Sequence, residues 1–258
     1  MIFYFTGTGN SLYVARELDE TILSIPQIIK REKLAFSAES IGIVCPVYGH
    51  EMPGMVKEFI RRASFETDYL FVVLTYGAHH GGAAEIADLF FRNAGKKADC
   101  ITVIEMVDNF LPAFDMEEQM AEDKQVEKHL EEIRTAIQAK KREIPKTTLA
   151  EKAAHKMYQK MVGDAPETIW AAFRVTDECV GCGICTRVCP AGCIRLENQH
   201  AIHSIEGCQA CYACVHACPK AAVQFTLPHP EKNPTARYRN EHVTLCELVK
   251  SNEQTADD

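Results

Sequence analysis

The chain has 258 residues, 47% of them hydrophobic, and a formal net charge of -8. That is enough for two domains with cores of their own, and the acidic balance argues against nucleic acid or an anionic membrane surface as a partner. The twelve cysteines crowd towards the C-terminal half, as suits a reducing, low-oxygen cytosol; with no leader-like opening and no run of about 18 apolar residues, a soluble cytoplasmic protein without membrane insertion is expected.

Ile2-Phe3-Tyr4-Phe5 is a short apolar run that predicts a buried strand, and the breaker-free stretch from Leu12 to Glu20 predicts a helix. Between them lies Thr6-Gly7-Thr8-Gly9-Asn10-Ser11. Strand, glycine-rich turn and helix start together make an anion site. The turn exposes backbone N–H groups, the helix N-terminus adds partial positive charge, and Thr6, Thr8 and Ser11 bring hydroxyls. A dinucleotide fingerprint would place a third glycine at Leu12, and a P-loop would place lysine after its second glycine; both are missing. Hydroxyls without a cation suit a terminal phosphate monoester, as in flavin mononucleotide (FMN). The plain alternative is a βα turn that carries some threonines.

The alternation continues down the chain. Thr21–Ile29 offers a short second strand, weakened by Pro26. Ile41–Cys45 is a strand ending at Pro46, followed by a helix over Pro53–Ala63; Tyr69–Thr75 is a strand, followed by a helix over Ala83–Asn93 with Gly95 just past its end. Cys100–Val107 is the fifth strand. One long helix is expected from Met116 to Arg142, with Val126, Leu130, Ile133 and Ile137 as its apolar stripe and Lys140-Lys141-Arg142 at its C-terminal end. Five strands alternating with helices predict an α/β fold with a doubly wound parallel sheet.

Thr6-x-Thr8-Gly9-x-Ser11 resembles the phosphate loop of flavodoxins, and residues 1–145 are similar to a flavodoxin-like FMN-binding domain. The resemblance implies a ligand at the carboxyl ends of the strands, among the loops after the first, third and fourth. The later two loops are Pro46-Val47-Tyr48-Gly49-His50-Glu51-Met52-Pro53 and, after Thr75, Tyr76-Gly77-Ala78-His79-His80-Gly81-Gly82. By resemblance Tyr48 and Tyr76 are candidates to pack against the isoalloxazine, the alternative being exposed loop aromatics. Expected cofactor contacts are Thr6, Gly7, Thr8, Gly9, Asn10, Ser11, Pro46, Val47, Gly49, Thr75, Gly77, His79 and Gly81. His79 and His80 read first as solvent-facing residues and second as flavin contacts.

Residues 146–172 form the expected helical linker. Thr147–Val162 is a helix that clamps two domains together, Gly163-Asp164-Ala165-Pro166 breaks it, and Trp170 and Phe173 read as interface core. A doubled spacing follows: Cys179-x-x-Cys182-x-x-Cys185-x-x-x-Cys189-Pro190, then Cys208-x-x-Cys211-x-x-Cys214-x-x-x-Cys218-Pro219. Three cysteines at intervals of three let one tight loop offer three thiolates to three irons of a cube. The fourth, expected to start a helix pointing away, ligates the cube held by the other loop. This assigns Cys179, Cys182, Cys185 and Cys218 to one [4Fe-4S] cluster, and Cys208, Cys211, Cys214 and Cys189 to a second. Disulfides need an oxidising compartment, and zinc normally draws four ligands from two Cys pairs, so neither fits.

The two halves stand 208 − 179 = 29 residues apart, and the same offset pairs Phe173 with Ile202, Pro190 with Pro219 and Ile194 with Val223. Each half reads as strand, cluster loop, helical turn, strand. The offset sets Cys193 opposite Ala222, which makes it a buried small residue, as are Cys45 and Cys100 on their strands. Cys246 has no assigned role, and His216 reads as a surface residue. The segment resembles bacterial two-cluster ferredoxins over about Phe173–Phe225, implying a small α+β two-[4Fe-4S] domain at 173–226. Residues 227–258 are the expected tail: an extended crossing at Pro228, Pro230 and Pro234, a short helix over Thr244–Lys250, and a disordered end over 251–258.

The whole arrangement resembles fused flavodoxin–ferredoxin proteins of anaerobes. That implies an electron-transfer protein carrying FMN and two [4Fe-4S] clusters, linking one-electron and two-electron partners, with donor and acceptor proteins unidentified. The alternative is a flavin-dependent reductase of a quinone, nitro compound or disulfide, for which His50, Glu51 and the His79–His80 pair are the available acid–base groups. A redox sensor is the third reading, without a DNA-binding or signalling segment to transmit its state.

Overall fold

A computed structural model of the chain describes residues 1–162, 172–226 and 232–253. The expected break at 163–166, Trp170, Pro228 and Pro230 lie outside the described residues. The first part runs β1 Ile2–Tyr4, α1 Asn10–Leu18, β2 Ile22–Ser24, α2 Ile25–Ile28, β3 Ala35–Ser37, β4 Ser40–Pro46, α3 Gly54–Arg62, β5 Ser64–Glu66, β6 Tyr69–Tyr76, α4 Ala83–Asn93, β7 Cys100–Glu105, α5 Met116–Ala121, α6 Val126–Gln138 and α7 Leu149–Val162.

Five strands pair in parallel in the order β2-β1-β4-β6-β7. The central strands are buried along almost their whole length, which is why they read as unbroken apolar runs. The chain steps from β1 outward to β2 and then crosses β1 to reach β4. The strand order therefore reverses between β1 and β4, and a crevice opens at the carboxyl ends there. This is the α/β sheet expected from the sequence.

Three details differ from expectation. Pro26 does not weaken a strand; it sits in the first turn of α2, where its fixed φ and missing N–H cost nothing. The long helix over Met116–Arg142 is two helices. Asp123 accepts the Gln125 amide at 2.9 Å, Gln125 takes a left-handed φ of 49°, and Lys124 reaches back to Glu105 at 2.9 Å. Finally, β3 and β5 form a separate parallel pair whose Phe36 and Phe65 pack against Phe3 of β1 and Phe59 of α3.

α7 starts on a reciprocal cap between Thr148 and Glu151 and lies across the loops after β4 and β6. Lys152 pairs with Glu85 at 2.9 Å, and Tyr158 packs on Gly49, where a Cβ would overlap its ring. In the cysteine segment β8 Phe173–Val175 pairs antiparallel with β11 Val223–Phe225, and β9 Ile194–Glu197 with β10 His200–His203. Short helices over Ile184–Arg187 and Ala213–Ala217 each carry the third cysteine of their repeat. The fourth cysteine does not start a helix, as expected, but follows one: Cys218 is the C-cap of its helix, with the proline behind it blocking continuation.

The last helix, Leu245–Asn252, has a capping box between Thr244 and Glu247. Its end is not disordered at 251–252, as the polar composition suggested. Ser251 and Asn252 are buried, because their side chains meet partners far back in the chain. Tyr4 and Ser251 share a hydroxyl hydrogen bond of 2.8 Å, and Asn252 Nδ2 donates to Thr6 O at 3.0 Å and Val188 O at 3.1 Å.

Candidate functional site

The turn between β1 and α1 is held open by its own side chains. Gly9 adopts φ 106° at the N-cap of α1, and its N–H donates to Thr6 Oγ1 at 3.1 Å. Asn109 Nδ2 donates to Thr8 Oγ1 at 2.9 Å, and Ser11 Oγ shares a proton with Thr75 Oγ1 at 2.8 Å. Thr6, Thr8, Ser11 and Thr75 are all buried from bulk water. Each network leaves a hydroxyl donor in hand, because an oxygen that accepts one bond still carries its own proton.

Above this turn lies a cavity of about 800 Å³. Of the expected cofactor contacts, the structure brings Thr6, Gly7, Thr8, Asn10, Ser11, Pro46, Val47, Tyr48, Gly49, Thr75, Tyr76, Gly77 and His79 to its wall. Gly9 and Gly81 stand behind it. A Cβ on Gly9 would press on Asn240 and Val243 of the tail, and one on Gly81 would overlap the His50 ring. His80 is not free in solvent; its Nδ1 accepts the Gly82 amide at 3.2 Å and its Nε2 faces Glu151 at 3.4 Å.

Sequence reasoning missed three walls of this cavity. The loop after β7 supplies Asp108, Asn109 and Phe110; Asp108 accepts the amides of Ala78 and Phe110, each at 2.9 Å, and lies where a Gly77 side chain would be. α7 supplies Tyr158. The third wall is the second cysteine loop itself: Cys208, Gln209, Ala210 and Tyr212 all line the cavity. A Cβ on Gly7 would overlap the carbonyl oxygen of Cys211, so the glycine of the phosphate-type turn is what lets the two loops touch. Apart from the resemblance, the doubled cysteine spacing carries no signal that its second copy would face this turn.

Cys179, Cys182, Cys185 and Cys218 line a single void, with Val175, Leu196, Ala201 and Val223 as apolar walls. Burial, then the neighbouring Cys218, Cys179 and Cys182, pushes the Cys185 thiol up to about 11. Burial likewise raises Cys211 and Cys214, with Cys189 and Cys208 adding to the shift. Such cups disfavour bare thiolates and favour them once a cation shares their charge. Backbone amides point at the sulfurs in the same register in both copies: Cys193 N–H donates to Cys189 Sγ and Ala222 N–H to Cys218 Sγ, each at 3.2 Å. Among the described residues no three or more Cys, His, Asp or Glu converge on a point for one metal ion; the first set instead surrounds a void. The donors, walls and amide bonds fit iron–sulfur clusters.

Residues 178–223 match the 4Fe-4S dicluster domain. No curated protein and no solved structure matches the chain. The match makes the C-terminal part a small ferredoxin-like 4Fe-4S domain and gives the chain an iron–sulfur electron-transfer role. Among the described residues no helix is long and apolar enough to cross a membrane.

Two cysteine-segment residues differ from their first reading. His216 is buried, not on the surface. Its Nδ1 accepts the Tyr238 amide at 3.0 Å, which leaves the proton on Nε2 to donate to Asn109 O at 2.8 Å. Burial lowers its pKa to about 4, partly offset by the Asn109 carbonyl. The ring thus links the Cys214–Cys218 turn, the cavity loop and the tail. Cys193 is buried as expected, yet it does more than fill space: its thiol donates to Glu206 O at 3.4 Å, and its proximity is the first cause lowering Cys189 and Cys208 to about 6 and about 5. The tail also holds the turn directly, through Asn240 N–H to Thr8 O at 2.9 Å and through Tyr238 and Asn240 to Asn10 Oδ1.

Proposed function

We propose that the protein passes electrons between its two [4Fe-4S] clusters and an FMN held in the cavity, linking one-electron and two-electron redox partners. The observation that carries this reading is that one cavity has the hydroxyl-lined turn at its floor and the second cysteine loop as its wall. FMN would supply two-electron chemistry and the clusters one-electron chemistry. The chain's own residues would do the holding: Thr8 and one hydroxyl of the Ser11–Thr75 pair offer donors to a phosphate, Tyr48 and Tyr76 offer flat faces, and Asp108 fixes the loop that closes the far side.

The two cysteine sets are unequally placed. Cys208, Cys211, Cys214 and Cys189 are buried, whereas Cys182 is exposed and flanked by the exposed Val180 and Leu196. Donor and acceptor proteins, whose identity is open, therefore meet the first set, and the second set relays to the cavity. Protein purified without oxygen is expected to hold about eight irons per chain and one FMN. Substituting Thr8 and Ser11 by Ala should cost flavin and spare iron; iron and flavin leaving together, or zinc in place of iron, would end the reading.

A second reading is favoured by the company at the cavity mouth, where His50, His79, Lys57 and Tyr158 also line the wall. These are acid–base and cationic groups within the space a substrate would share with a flavin, as a reductase of quinones, nitro compounds or disulfides requires. Steady-state turnover of such compounds with a chemically reduced donor separates the two: an electron carrier gives none above the free-flavin rate.

A further inference from the structure

The 29-residue offset extends to the backbone. Gly181, Gly183 and Gly192 have φ of 65°, 73° and 65°; their counterparts Ala210, Tyr212 and Ala221 have φ of 49°, 59° and 48°. Glycine adopts this left-handed geometry freely, whereas an L side chain holds it only where its surroundings impose it, and such outliers gather at functional sites. Two of the three side chains in the second copy, Ala210 and Tyr212, line the cavity. Tyr212 packs against Phe110, itself a wall residue, with ring centroids 5.9 Å apart and planes at 33°, and is braced from behind by Phe173 and Phe225. It stands in sequence between Cys211 and Cys214, next to one cysteine of the second set and two residues from another.

We propose that Tyr212 is a positioning residue that fixes how closely a ring bound in the cavity approaches the second cysteine loop, and thereby sets the rate of electron exchange between them. This rests on the reading of the cavity as an FMN site. One electron leaves a reduced cluster and the same electron reduces the ring; no bond forms or breaks, and an external photoreductant supplies the electron in the test. The matching position in the first copy is Gly183, so the left-handed backbone alone does not call for a tyrosine, and here that tyrosine lines the cavity.

The experiment is flash photoreduction of the full chain loaded with iron and FMN, followed at the flavin absorption. Tyr212→Phe is expected within about twofold of the parent, and Tyr212→Leu at least about tenfold slower, with iron and FMN contents unchanged. Phe173→Leu, which thins the same aromatic group without facing the cavity, should leave the rate within about twofold. The proposal is overturned if Tyr212→Leu keeps the parent rate with both groups loaded, if Tyr212→Phe falls as far as Tyr212→Leu, or if Phe173→Leu slows as much. Should Tyr212→Leu lose its iron, 3-fluorotyrosine placed at position 212 answers instead: its ¹⁹F resonance should move on adding FMN, and a resonance that stays put while FMN binds overturns the proposal. A parent chain that takes up no FMN overturns both this and the cavity reading; bound FMN with unmoved rates overturns only this one.

Discussion

The two cysteine loops share spacing, strand pairing and amide-to-sulfur bonds, yet one is built on glycines at the surface and the other on side chains in the interior. The first loop turns at Gly181 and Gly183 and leaves Cys182 exposed. The second turns at Ala210 and Tyr212, and its Cys211 is packed against the sheet domain through the contact at Gly7. A duplicated ligand pattern is therefore not a duplicated environment. In one copy Cys182 is exposed, whereas in the other Cys208 lines the cavity beside the hydroxyl-bearing turn.

Removing ligands breaks this comparison most severely. Cys182→Ala should forfeit about four of about eight irons and leave bound flavin unchanged, whereas Cys211→Ala should forfeit a similar share and also disturb the flavin absorption, since its loop is the cavity wall; iron assay with visible spectroscopy decides, and equal flavin responses would contradict the asymmetry. Next in size, Asn252→Ala removes the donor shared by Thr6 O and Val188 O, two buried acceptors, and should cost about 2–3 kcal/mol by denaturant titration while weakening FMN binding.

Smaller effects test the backbone difference. Gly181→Ala places a Cβ against the Gln199 carbonyl at φ 65° and should cost at least about 1–2 kcal/mol. Ala221→Gly, the counterpart of Gly192, should run the other way and stabilise by up to about 1 kcal/mol, since relief of the left-handed strain outweighs glycine's chain entropy. Thermal unfolding of the iron-loaded chain reads both.

The smallest change concerns pH at the cavity mouth. Burial, then His155, His79 and His80, lowers the pKa of His50, with nearby Glu51 opposing; Glu151 faces His80 from α7. Because the folded α7 contact favours neutral His50, its contribution is complete above the ordinary histidine value of about 6.5 and is lost as pH falls below it, where the locally unfolded chain binds the extra proton. Protection factors in α7, corrected for intrinsic amide exchange, should accordingly fall between about pH 7 and about pH 5.5, and His50→Asn should flatten that dependence.

Much of this was legible because it is written in short-range pattern. Tyr69–Tyr76 could be little other than a buried strand, and the cysteine spacing needs only its own forty residues to be read. What stayed hidden depends on distance or on small polar groups. Asn240, Ser251 and Asn252 look like solvated tail residues until Thr8, Tyr4 and Thr6 are brought beside them. His216 sits in a five-residue helix, too short for periodicity to show which face is covered. The split between α5 and α6 turns on one aspartate, Asp123, capturing an amide two residues on, a local choice that the apolar stripe does not record.

The Asn252 amide has a further effect. Because it grips the carbonyl of Thr6 on one side and that of Val188 on the other, a nucleotide bound on that turn as proposed and the docked last helix would stabilise the same few atoms. By reciprocity, any tightening of one by the other would run equally in both directions. Saturating ligand should therefore slow proteolytic trimming of the last helix, and clipping that helix should loosen ligand by the same factor.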